Sequence, residues 1–92
     1  MIAISYEKLE ILAKDLDKER KELNKSIKNI GSIMQMLPMF WNSDVCSKYI
    51  TDYSNKEKDV KEMIRFLEDV SDNMKAISKY CKDLKDNQSL DT

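Results

Sequence analysis

With 92 residues, 36% of them charged and 41% apolar, and a net charge of -1, the chain has room for one small domain with a modest core. The charge balance argues against nucleic acid as its main ligand, because phosphate binding needs a clustered positive excess. A single Gly and the absence of His leave out a Gly-rich phosphate loop, the usual general base and the commonest zinc ligand.

The abundance of Lys, Glu, Asp, Leu, Ile and Met points to long helices. The first is expected over about residues 6–37, with Ser5 as N-cap and Glu7 at the positive end of the helix dipole. Leu9, Leu16, Leu23, Ile30 and Leu37 recur at sevens, which keeps one face towards a partner helix. Leu12 and Ile33 occupy the companion row, where Glu19 and Ser26 interrupt it, while Ala13, Ile27 and Met34 widen the stripe. Gly31 costs about 1 kcal/mol relative to Ala and marks either a close backbone approach or a tolerated position.

Pro38 lacks a backbone donor and biases Leu37 away from helical geometry, so a turn is expected over about residues 38–43. Ser43 caps the second helix and Asp44 begins it. That helix is expected to run to about residue 84. Cys46, Tyr53, Val60, Leu67, Met74 and Cys81 form one row at sevens. Tyr49, Met63, Val70, Ile77 and Leu84 form another, interrupted by Lys56, and Val45, Ile50, Ile64, Phe66 and Tyr80 spread the apolar surface further. Past Leu84 the pattern fades, and residues 85–92 read as a flexible tail.

The fold class that follows is all-α, an antiparallel two-helix hairpin. Its wide apolar stripe exceeds what one neighbouring helix covers, so pairing into a four-helix bundle, with a second copy or another hairpin, is expected. Charged pairs such as Glu10/Lys14, Asp17/Lys21 and Glu57/Lys61 have the spacing of a solvated helix face. Cys46 and Cys81 lie about 50 Å apart on one helix, too far for a disulfide, and read as small hydrophobes.

No enzymatic chemistry emerges. Carboxylates are scattered among lysines, Ser43 has no base to activate it, and the methionines and tyrosines sit mostly at helical seam spacing. No cofactor or metal is expected. No stretch reaches the roughly 20 apolar residues of a membrane span, and the start of the chain lacks signal-peptide features. The chain therefore reads as made in the cytoplasm. Phe40 and Trp41 at the corner admit two readings: they lock the turn against the helix ends, or they form part of a surface recognised by another protein.

Trp41-Asn42-Ser43 between two long helices resembles the W-x-G proteins, the small ESAT-like substrates of the bacterial type VII secretion system. Ser43 stands where that family usually has Gly, a variant it accepts; Met34, Leu37 and Phe40 before the motif and Tyr49 after it are similar to the family pattern. The resemblance implies a hairpin dimer secreted without a signal peptide. Phe40, Trp41, Asn42 and Ser43 would then form half of a recognition site beside the partner's C-terminal helix end, read by the secretion ATPase. The family's C-terminal signal, Tyr-x-x-x-Asp/Glu, is matched here only by Tyr80 and Asp83, with the acid one residue early. That departure implies export alongside a partner, including a larger secreted toxin. The alternative is a cytoplasmic coiled-coil adaptor with no link to secretion.

Overall fold

The computed structural model describes residues 4–90. It is all-α, with two helices, α1 (Tyr6–Phe40) and α2 (Asp44–Leu90), that form an antiparallel hairpin. The hairpin is a rod of 74 × 20 × 13 Å. At 47 residues, α2 outruns the 35-residue α1.

Two serines of α2 set the register. The Ser71 hydroxyl donates to the Ala13 carbonyl at 3.1 Å, and the Ser78 hydroxyl donates to the Tyr6 carbonyl at 2.7 Å. A step of seven along α2 is thus matched by a step of seven back along α1. Ala13 and Ser71 are 0% exposed and Ser78 is 4% exposed. Small side chains let the helices approach this closely, since interaxial distance follows the size of the groups at the contact. Each hydroxyl uses a lone pair that the intrahelical bond leaves free, so it avoids the ~1–3 kcal/mol cost of an unsatisfied buried donor.

The buried apolar residues are Ala13, Ile27, Cys46 and Ile64. On α2 the row Cys46–Tyr53–Val60–Leu67–Met74–Cys81 faces α1. Its companion is Ser43–Ile50–Glu57–Ile64–Ser71–Ser78, not the row of Tyr49, Met63, Val70, Ile77 and Leu84, of which only Val70 is partly covered. On α1, the residues turned towards α2 centre on Ala13, Arg20, Ile27 and Met34, with Leu9, Leu16 and Leu37 at the margin. Leu12, Leu23, Ile30 and Ile33 are exposed. The physical reason is size. Ala13, Ser71 and Ser78 let the helices close tightly on the inward rows, and the rows of Leu23 and Ile30 and of Tyr49, Met63 and Ile77 are left at the side.

Both helix ends differ from expectation. α1 continues through Pro38 to Phe40, and the Trp41 N–H bonds the Leu37 carbonyl at 2.9 Å. In the last turn, proline deprives only the Met34 carbonyl of its partner, a loss tolerable at a helix end. α2 continues past Leu84 to Leu90, because no Gly or Pro stops it; residues 91 and 92 of the expected tail lie outside the described residues. Ser5 takes the N-cap position, but its side chain makes no capping bond; its carbonyl accepts the Leu9 N–H at 2.9 Å.

Candidate functional site

The turn is three residues long, Trp41, Asn42 and Ser43, and needs no left-handed backbone conformation. No positive φ is required of Ser43. Ser43 instead supplies an oxygen. Its Oγ accepts the Cys46 N–H at 3.1 Å, and its carbonyl accepts the Ser47 N–H at 3.1 Å, which starts α2.

The aromatic residues divide. Trp41, 41% exposed, leans on Tyr49 with ring centroids 6.0 Å apart and planes at 47°. Tilted rings at that distance attract, so part of the indole anchors the turn. Phe40 is 80% exposed and, with Met39 and Val45, stands in solvent at the tip of the rod. The tip therefore holds an anchored tryptophan beside an unanchored phenylalanine.

From the tip an apolar edge runs along the hairpin. Leu12, Leu23, Ile30 and Ile33 of α1 are exposed, as are Tyr49, Met63, Phe66, Ile77 and Leu84 of α2. Leu9 and Leu12 line one shallow recess together with Ile77, so both bulky rows border the same edge. Tyr80 and Asp83 are exposed on α2 near the open end, where Ser78 meets Tyr6. Within one chain, Trp41 and the Tyr80–Asp83 pair thus lie at opposite ends of the rod.

The other edge is polar, and its charges do more than line a solvated face. Asp17 does not pair with Lys21; it reaches across to Lys75 and also contacts Arg20 at 3.5 Å. Hydrogen bonds from Lys75 first, then from Ser71, hold the Asp17 carboxyl at about 2, below its ordinary 3.8. Arg20 extends the bridge to Glu68 at 3.9 Å. Nearer the turn, the Tyr53 hydroxyl donates to the Ile27 carbonyl at 3.2 Å, and burial, then the neighbouring Glu57, push its pKa up. Lys61, at 2.8 Å, holds the Glu57 carboxyl down. The expected Glu10–Lys14 pair forms at 3.5 Å.

Cys46 is buried and Cys81 half-buried, both free thiols. Among the described residues no group of three or more Cys, Asp or Glu side chains gathers as metal ligands, and no helix is long and apolar enough to cross a membrane. Sequence reasoning missed Ser71 and Ser78 as seam residues. Their signal was the spacing of sevens that joins them to Ser43, Ile50, Glu57 and Ile64, hidden by counting only large apolar residues. No family model, curated protein or solved structure matches the chain.

Proposed function

We propose that this chain is a non-enzymatic helical-hairpin protein that pairs through its apolar edge into a four-helix bundle. In this reading a bacterial type VII secretion system exports it without a signal peptide, either as a substrate or as the export partner of a larger toxin. The observation that carries the reading is the bulky-row edge left in water beside the Trp41 tip. Exposed apolar surface of this extent marks association, and a partner lying antiparallel brings its own Tyr80 end to this chain's Trp41. The resemblance of Trp41-Asn42-Ser43 to the W-x-G motif supports the secretion half, with the secretion ATPase as the reader of the completed site.

The contact between Trp41 and Tyr49 favours a second reading, a cytoplasmic adaptor in which the tryptophan only anchors the turn. Secretion assays of the wild type and of one variant separate the two. Under the export reading Trp41→Ala abolishes appearance of the protein in culture medium while helix content and particle mass stay unchanged. Wild-type protein found only in cells and never in the medium decides for the adaptor, whereas continued export of the variant, or its loss of helix, leaves Trp41 only an anchor of the turn.

A further inference from the structure

One row of α1 runs along the apolar edge at sevens: Ser5, Leu12, Glu19, Ser26, Ile33 and Phe40, all exposed. Its middle is polar, and a large apolar residue, Leu12 or Ile33, stands on either side. Read backwards, the row keeps that pattern. Leu23, also exposed, lies beside its midpoint. Among the described residues Glu19 enters no ion pair, and neither does Lys56, which interrupts the exposed row of Tyr49 and Met63 on α2. Asp52 and Asp59 stand one turn from Lys56 without pairing with it. The edge thus carries two charges that its own chain does not pair.

We propose that the partner on this edge is a second copy of the chain, laid antiparallel about a two-fold axis near Leu23. This rests on the pairing through the apolar edge put forward above and names what covers it. A two-fold axis across the rods sets α1 on α1 with the residue order reversed, and each contact occurs twice. With Leu12 opposite Ile33 of the second copy, Glu19 falls opposite its Ser26, whose hydroxyl donates to the carboxylate, and Leu23 meets its own counterpart. Ser5 falls opposite Phe40 at the rim. Apolar side chains lie against apolar ones, and the polar pair at the centre fixes the register at some cost in stability. No second sequence is needed to satisfy the row, which is complementary to itself.

The same axis sets α2 on α2. Counted from Ser71 on Ala13, Lys56 then falls about level with the exposed Phe66 of the second copy, a ring face for its ammonium to cover. A two-fold axis along the rods would instead set α1 on α2 with the two tips together. Glu19 would then lie over Met63 and Phe66, a carboxylate against two apolar side chains with no donor. The antiparallel overlap of residues 5–40 is about 54 Å long at 1.5 Å per residue, on a face 20 Å wide. That is roughly 1,100 Å² from each copy, above the ~800 Å² of a stable interface.

Thiol cross-linking of the full chain in solution tests this. Cys81→Ser removes the half-buried native thiol, Cys46 is buried, and cysteines enter one at a time at exposed positions, with helix content as the folding control. A bis-maleimide is expected to join Glu19→Cys chains to Ser26→Cys chains, and Val45→Cys chains to Tyr80→Cys chains. Both reactions should run roughly tenfold or more faster than the joining of Lys58→Cys chains, on the opposite edge, to each other. Two independent pairs keep the test decisive if one variant unfolds. Joining of Glu19→Cys chains to Phe66→Cys chains in place of those pairs overturns the antiparallel arrangement. Rates no faster than the Lys58→Cys control, or a helical monomer at every concentration, overturn self-pairing and leave the edge open to a different hairpin. A dimer whose mass and cross-links survive Leu23→Glu overturns the apolar-edge pairing itself, and the proposal with it.

Discussion

The half of the hairpin near its open end and the half near the turn solve the same problem differently. Towards the open end, Ala13 lies against Ser71, Tyr6 against Ser78 and Asp17 against Lys75, so hydroxyls and charges bridge the helices directly. Towards the turn the helices leave a trough over Gly31, and cohesion comes from Tyr53 on Ile27, the Ser43 cap and the Trp41–Tyr49 contact. Small side chains close one half, while a recess bordered by Gly31 remains in the other. Smallness at a helix seam is therefore not one signal: its effect depends on what stands opposite.

That contrast can be broken at Ala13. With no exposed surface and a facing hydroxyl on its own carbonyl, it has no room for a larger group. Ala13→Leu should destabilise the hairpin by about 1–3 kcal/mol in urea unfolding. At the turn, Ser43→Ala removes the acceptor for the Cys46 N–H and should cost about 1 kcal/mol in the same measurement. Gly31→Ala should act in the opposite sense. Its new methyl meets neighbours at ordinary distances, so the variant should gain up to about 1 kcal/mol from helix propensity. The smallest effect is expected from acid. Asp17 is depressed in the folded chain to about 2 from 3.8, so its contribution is complete above pH 4 and is lost as pH falls through about 2. Asp17→Asn should flatten that limb of the pH–stability curve while leaving the turn's behaviour unchanged.

Element type was legible from the residues because helix needs only local information: no Gly or Pro interrupts residues 44–90, and apolar residues recur at sevens. Helix ends were less so. Pro38 disfavours helix at Leu37 on average, yet a single missing donor in a final turn is a small loss. The seam was the hardest to read. Leu23 and Ser71 each sit in a row of sevens, and hydrophobicity alone ranks the leucine first. Which row faces inward is decided by the distance between the backbones, a property of the pair of helices that neither helix displays alone. The same limit hid the polar edge. The Asp17 bridge to Lys75 joins residues far apart in sequence.

The central claim is that the inward rows carrying Ala13, Ile27, Ile64, Ser71 and Ser78 hold each hairpin together while the exposed bulky rows hold hairpins to each other. Sedimentation equilibrium of the wild-type chain beside Leu23→Glu tests it most directly, with helix content followed in parallel. Leu23 is exposed on the apolar edge, so the account predicts a wild-type particle of twice the chain mass and a variant that is monomeric but fully helical. A wild-type monomer at every concentration, or a variant that loses its helix together with its mass, would contradict it.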